Sequence, residues 1–352
     1  MDIKEIYAKL PYDTSGSMVK NRFQYEKMFG LTKMFDSYDL YEDYTVVFDY
    51  VCDIELHTKE KLSFYQIKTK SDYSPITNSY LIKKDKKSLH SVIAKLYLIR
   101  CENEGYNDKI ELNIVGNVPF KDDKNLCKTE LKKFSEMSEK TQKTIISAIK
   151  NELNIDNVDI NNLYYVFNSM DLNNYEDTML GKTLKFYNKV IGVDSKKPNV
   201  LYATLKSIID DKASIEKGGL SYEELINQKG FSKKELEKLL NCHKQTNELI
   251  EKCNDYLRKR FNNLKDGIII SNTLKKIIDK NDFFYEKEKK KIQEYIKETY
   301  LNNKIDDNEY IEKYINANMN NYPIEYSFIE KYTYVYYEIL KYVEEQNEEN
   351  NF

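Results

Sequence analysis

The run Phe64-Tyr65-Gln66-Ile67-Lys68-Thr69-Lys70 places a carboxamide and an ammonium at alternate positions of a strand-like segment. Acids recur along the preceding run, Val46-Val47-Phe48-Asp49-Tyr50-Val51-Cys52-Asp53-Ile54-Glu55. Side chains alternate faces along a strand, so Gln66 and Lys68 point one way; read as one strand, the earlier run aligns Asp49, Val51, Asp53 and Glu55. A hairpin turning near Lys59-Glu60 sets Asp53 opposite Gln66 and Val51 opposite Lys68, within the reach of cross-strand neighbours. An acid, a carbonyl oxygen and an ammonium then converge between apolar strands, a set suited to a divalent cation and a water beside a phosphate. Lys68 carries the most weight, because burying an ammonium without a partner costs several kcal/mol. Asp53 alone is an ordinary turn cap, and Gln66 alone an ordinary polar strand residue. Asp49 is either a second metal ligand or a structural partner for Arg22. Glu55, toward the hairpin turn, reads as a solvated carboxylate. Glu26 follows Arg22 by four residues on one helix face, as a surface Arg–Glu pair or a helix-borne ligand.

The elements that must hold these residues follow from the pattern around them. Ser17 caps a helix predicted to about Met34, with Phe23, Met28, Leu31 and Met34 along it. Pro75 breaks the chain after the second strand. The pattern then predicts a helix over 88–104, a strand over 110–115, a helix over 128–153, a short strand over 163–170 and a helix over 178–191. Helix, two strands, helix, strand is the α-β-β-β-α-β order of a restriction-endonuclease core with one strand missing. The expected fold is therefore α/β (α+β) with a mixed sheet, followed by a mostly α-helical domain.

An Asp on one strand and (D/E/Q)-x-K on the next resembles the PD-(D/E)xK nuclease superfamily. Gly16-Ser17, Arg22-Phe23-Gln24-Tyr25, VVFDYVCDIEL, FYQIKTK and the helix SLHSVIAKLY resemble, more closely, the double-stranded-DNA endonuclease domain of bacterial anti-phage effectors. These are the CBASS-associated endonucleases of cyclic-oligonucleotide signalling and the effector subunit of Lamassu-type systems. The resemblance spans residues 15–120, with a weaker echo to about 190. Gln66 departs from the superfamily but not from this branch. Cys52 stands where such domains often carry a second acid, a departure that weakens metal binding, and Glu26 where many carry Gln, which restores a carboxylate. The resemblance implies Mg²⁺ (or Mn²⁺) held by Asp53, the Gln66 side-chain oxygen and the Ile67 backbone carbonyl, with Lys68 positioning the attacking water. A neutral Gln66 implies weaker metal binding than an acid would give.

Lys+Arg 55 against Asp+Glu 58 gives a net charge of −3, which excludes a globally basic DNA coat. The charge is uneven: His57 to Arg100 holds ten Lys/Arg and three acids. Arg22, Lys70, Lys83, Lys84, Lys86 and Lys87 are the candidate phosphate contacts, salt-sensitive and blind to sequence; the bland alternative is a lysine-rich composition scattered over solvated surface. Five cysteines without paired metal spacing suggest a reducing cytoplasm, and no apolar run suggests a signal peptide or membrane span. The 31 tyrosines read as compositional drift.

Residues 192–199 form the linker candidate, dividing a nuclease domain (1–195) from a helical partner-docking or oligomerisation domain (196–352). Within the latter, Ser221–Gln228 and Ser232–Asn241, joined by Lys229-Gly230-Phe231, have helix-turn-helix length, as a packing element or a DNA reader. Strand-like runs are scarce there, unlike the α/β ligand-sensing domain that follows cyclic-oligonucleotide-gated nucleases. Resemblance to the Lamassu arrangement implies instead an SMC-like ATPase and an accessory subunit as partners, or a homo-oligomer as the active form. The competing reading is a catalytically inactive scaffold with the nuclease fold.

Overall fold

The computed structural model describes residues 15–84, 89–103, 105, 107–195, 197–279, 282–300, 306–319 and 326–349. Helix α1 (Ser15–Ser37) buries Tyr25, Met28, Phe29, Leu31 and Met34, an i, i+3, i+4 stripe that lies on a sheet. Strands β1 (Tyr44–Phe48), β2 (Ile54–Thr58) and β3 (Leu62–Lys68) follow. β1 and β2 are antiparallel, with Phe48 opposite Ile54, so the run expected to be one strand is a hairpin. Its turn is closed by the Asp49 N–H donating to the Asp53 carbonyl at 3.0 Å and the Tyr50 N–H to that of Cys52 at 3.2 Å. Asp49 adopts φ 50°, a left-handed conformation that Asp tolerates better than most residues. This hairpin supplies the strand missing from the restriction-endonuclease order.

β4 (Ile76–Thr77) and α2 (Asn78–Ile82) lead to α3 (Val92–Cys101), whose cap is Ser91. β5 (Ile110–Gly116) lies parallel to β3; β6 (Phe120–Asp122) and β7 (Asn125–Cys127) join β4 in a small second sheet. The helix expected from Lys128 begins later. Residues Leu131–Lys133 instead form β8 against β9 (Leu163–Phe167), and Ser138 caps α4 (Glu139–Leu153) by accepting from the Thr141 N–H. Next come α5 (Tyr175–Ile191), α6 (Pro198–Ala213), α7 (Tyr222–Lys229), β10 (Gly230–Ser232) and α8 (Lys233–Arg260). The helical pair α7/α8 is therefore not joined by a simple turn. Gly230–Ser232 pairs antiparallel with β1, and Phe231 is buried.

The main sheet runs β10-β1-β2-β3-β5-β9-β8, with β3, β5 and β9 parallel and the other pairs antiparallel. One face packs Phe64, Leu112 and Ile114 against Ile93 and Leu96 of α3 and Ile145 and Ile149 of α4. The other carries α1, where Phe29 meets Tyr65 with ring centroids 5.5 Å apart. Gly30 allows that approach: a Cβ there would lie 2.5 Å from the Phe48 ring and 2.8 Å from Ile54. Gly30→Ala is expected to destabilise the fold by about 1–3 kcal/mol through overpacking. Urea unfolding measures it; an unshifted midpoint would mean that α1 moves off the sheet at no cost.

The chain divides into two compact units. One extends to Asp194 and takes in Leu201–Leu239; the other comprises Ser195–Val200 and the chain from Leu240. α6, α7 and β10 thus lie with the sheet, beyond the linker expected at 192–199. In the second unit, α8 runs on to α9 (Leu264–Asp279), α10 (Phe283–Thr299), α11 (Asp307–Asn318) and α12 (Phe328–Glu349), with no strand among its described residues. Its core includes Cys253, Leu257, Ile270, Ile292 and Val335, and also Tyr285, Tyr332 and Tyr334. The tyrosines have work to do here. The Tyr326 and Tyr334 hydroxyls donate to buried Asp282, and the Tyr285 hydroxyl to buried Glu338, so polar tips are satisfied inside an aromatic core. Among the described residues no helix is long and apolar enough to cross a membrane.

Candidate active site

β2 and β3 pair with Ile54 opposite Tyr65 and Glu55 opposite Phe64, and the same register sets Asp53 opposite Gln66. Asp53 Oδ2 accepts from Gln66 Nε2 at 2.5 Å and from the Ile67 N–H at 2.6 Å. Burial holds the Asp53 carboxyl above the ordinary carboxylate range, against the pull of Lys68 and those two hydrogen bonds. Lys68 ends β3 half-buried and forms no ion pair among the described residues. Val51 is not opposite Lys68; it sits exposed in the hairpin turn, before β2 begins.

Glu26 approaches from α1. Its carboxyl is pushed up to about 8, first by burial and then by the Asp53 charge, with Asp49 adding to the rise and Lys68 and Arg22 opposing it. This is no surface Arg–Glu pair. The Arg22 Nε is buried without a hydrogen-bond partner among the described residues. Asp49 reaches the same field from the exposed turn rather than from a shared strand face. Glu55 is not solvated but 1 % exposed, because the turn folds back over it. Its Oε1 accepts the Val51 N–H at 2.7 Å and its Oε2 lies 2.9 Å from His57 Nε2. Cys52 is buried, and desolvation pushes its thiol up, so it stays protonated and offers no charged ligand.

Asp53, Gln66 and Lys68 open into a cleft of about 760 Å³ that is also lined by Tyr80, Lys83, Lys84, His90 and Lys95. Lys95 on α3 went unrecognised as a site residue. Its charge acts on Asp53, but its only sequence signal is membership of the basic 57–100 stretch. Of the expected phosphate contacts, Lys83 lines the cleft, and Lys84 does so while lying 3.7 Å from Glu152. Lys70 is held within the chain instead: its ammonium donates to Ser74 Oγ at 2.9 Å and the Pro75 carbonyl at 3.0 Å. Lys86 and Lys87 lie outside the described residues.

Among the described residues no three His, Cys, Asp or Glu gather as a metal cluster. The donors at this point are two carboxylates, a carboxamide and a backbone carbonyl. Hard oxygen donors with one or two carboxylates suit Mg²⁺, which keeps most of its waters, and not zinc. Burial raises both carboxyls, and the Asp53 charge adds to the rise at Glu26, so a cation placed between them would favour their ionised forms.

The family model described as "Cap4, dsDNA endonuclease domain" matches residues 14–213. The chain belongs to this family. The protein thus carries the double-stranded-DNA endonuclease domain of anti-phage effectors. No curated protein and no solved structure matches the chain. The Cap4 match takes in α1 through α6 and β1 through β9, and ends before α7 and β10.

Glu26→Gln tests the contribution of α1 to this Cap4 domain. Loss of that carboxylate is expected to raise the Mg²⁺ concentration for half-maximal cleavage about tenfold, with little change in metal-free melting temperature at neutral pH, where the Glu26 carboxyl already holds its proton. An unchanged metal titration would restrict Glu26 to a structural role.

Proposed function

We propose that the chain is a metal-dependent endonuclease that hydrolyses phosphodiester bonds of duplex DNA at Asp53, Gln66 and Lys68, in PD-(D/E)xK fashion with Gln at the variable acid. The observation that carries this reading is the Asp53 carboxylate held by Gln66 and the Ile67 N–H at the mouth of a lysine-lined cleft. Mg²⁺ or Mn²⁺ would be held by Asp53 with the Gln66 side-chain oxygen, the Ile67 carbonyl and Glu26, and Asp49 close by in the turn. Bound there, the ion would polarise a phosphoryl oxygen and acidify a water. Lys68 orients that water and offsets the charge that gathers on the phosphate. Lys83, Lys84 and Lys95 hold flanking phosphates, which fixes register on the duplex without reading sequence. Without a cation, Glu26 keeps its proton, so the resting site avoids two adjacent negative charges.

Control is assigned to the second unit. Its described secondary-structure elements are all helices, which supports a docking role and not an α/β ligand sensor. In the Lamassu-like arrangement the activator is an SMC-type ATPase with an accessory subunit, in the cytoplasm; clustering of copies would serve equally. Cutting both strands needs two centres of opposite polarity, which symmetric pairing provides. The test is plasmid cleavage by full-length protein in Mg²⁺ or EDTA, with and without the candidate ATPase. Slow Mg²⁺-dependent cutting that rises about tenfold or more with the partner or on clustering is expected. Full-rate cutting by a monomer that ignores the partner would sink the gating. No cutting under any condition would leave the inactive scaffold.

A further inference from the structure

Residues beyond Ala213 lie outside the stretch matched by the endonuclease family, yet they clasp the turn that carries Asp53. β10 adds to the edge of β1 at Val46 and Val47, immediately before that turn. The fit is close: a Cβ on Gly230 would stand 2.5 Å from the Ile226 carbonyl oxygen and 2.7 Å from the Thr45 methyl. Within the turn, the Tyr50 hydroxyl accepts the Leu220 N–H at 3.1 Å. On β2, the His57 ring stacks on Tyr222 of α7 with centroids 5.7 Å apart.

Lys229, the last residue of α7, is 2 % exposed. Its ammonium donates to the Ile215 carbonyl at 2.7 Å and forms no ion pair among the described residues. A single neutral acceptor does not offset the burial of a charge. The opposing field comes from Asp49 at the start of the turn and Glu55 behind it. Glu55 in turn accepts the Val51 N–H, inside the turn. The next residue but one is Asp53, and the Asp53 carboxylate is bonded to Gln66 and Ile67.

We propose that Lys229 is a positioning residue for the nuclease centre, fixing the Asp49–Asp53 turn together with α7 and β10 and thereby holding the Asp53 carboxylate against β3. The catalytic half of this inference rests on the endonuclease reading above; the mechanical half does not. Without the Lys229 ammonium, the end of α7 loses its bond to the Ile215 carbonyl beside the Gly230–Val47 pair, the field facing Asp49 and Glu55 weakens, the turn loosens, and Asp53 loses its fixed place opposite Gln66.

The experiment compares full-length wild type with Lys229→Met, Lys229→Arg and Tyr50→Phe, following cleavage kinetics and amide hydrogen exchange. Lys229→Met is expected to lower kcat about tenfold with KM for DNA unchanged, the signature of a displaced reacting group rather than lost binding. The Val51 and Ile67 amides should exchange about tenfold faster while the α4 amides hold their wild-type rates. Lys229→Arg should restore most of both effects, and Tyr50→Phe should move the same two amides in the same direction by less. Wild-type exchange at Val51 and Ile67 in Lys229→Met overturns the proposal. So does acceleration spread evenly over the sheet, which marks a merely structural lysine. If Lys229→Met does not fold, Tyr50→Phe decides: selective acceleration at the two amides supports the clasp, and silence overturns it. A wild type that never cuts DNA would sink the endonuclease reading alone, since the exchange data still judge the clasp.

Discussion

Replacing Lys68 with alanine is expected to lower plasmid cleavage in Mg²⁺ by about 10³-fold, the scale of losing a preorganised cation beside a reacting phosphate. Lys68 sits half-buried at the end of β3, in the field of both Asp53 and Glu26 and without an ion pair among the described residues. The fold should tolerate its loss, because the ladder to β5 uses backbone groups; circular dichroism and thermal melting should match wild type within a few degrees. A folded variant that cuts at wild-type rate would remove Lys68 from the mechanism and, with it, the case for this cleft.

Asp53→Asn should separate activity from stability. Both hydrogen bonds to Asp53 end on one oxygen, Oδ2, so the Asn carbonyl oxygen can accept them in its place. Cleavage should fall by about 10³-fold because the principal metal carboxylate is gone. Metal-free stability should move the other way. Burial raises the folded-state Asp53 carboxyl above its unfolded value, so the native state holds the proton more tightly. The wild type is then favoured in acid, below the unfolded carboxyl value of about 4, and loses that advantage as pH rises through the folded value. Asn has no such loss. At neutral pH without metal the variant should melt higher than wild type, with a flatter pH dependence, and added Mg²⁺ should narrow the gap by stabilising only the wild type. A variant that melts lower at every pH would mean that the Asp53 charge is compensated within the fold.

Much of this arrangement is written locally in the sequence. The β2–β3 register follows from two apolar runs and a short polar turn, which is why the placement of Asp53 opposite Gln66 could be reached from spacing alone. The β1–β2 hairpin could not. Val46 to Glu55 has no Gly, Pro or Asn to mark a turn, and the bend rests on the left-handed Asp49. Reading it as one strand carried Glu55 to the surface and Asp49 onto a false shared face. β10 is three residues long, too short for any periodicity, and exists because β1 offers it an edge. Lys95 was hidden for another reason: which helix residue overhangs a strand end is set by packing, not by spacing along the chain.

The sheet ends in β10 on one side and β8 on the other, each only three residues long, and β8 carries Lys132 and Lys133. Borders this short, one of them lysine-bearing, are poor templates for a neighbouring strand. Copies crowded together therefore have little to gain from fusing sheet to sheet into fibrils. A dimer that brings two clefts onto one duplex must find its seam on helices or loops, where contacts can be made and released without unzipping a backbone ladder.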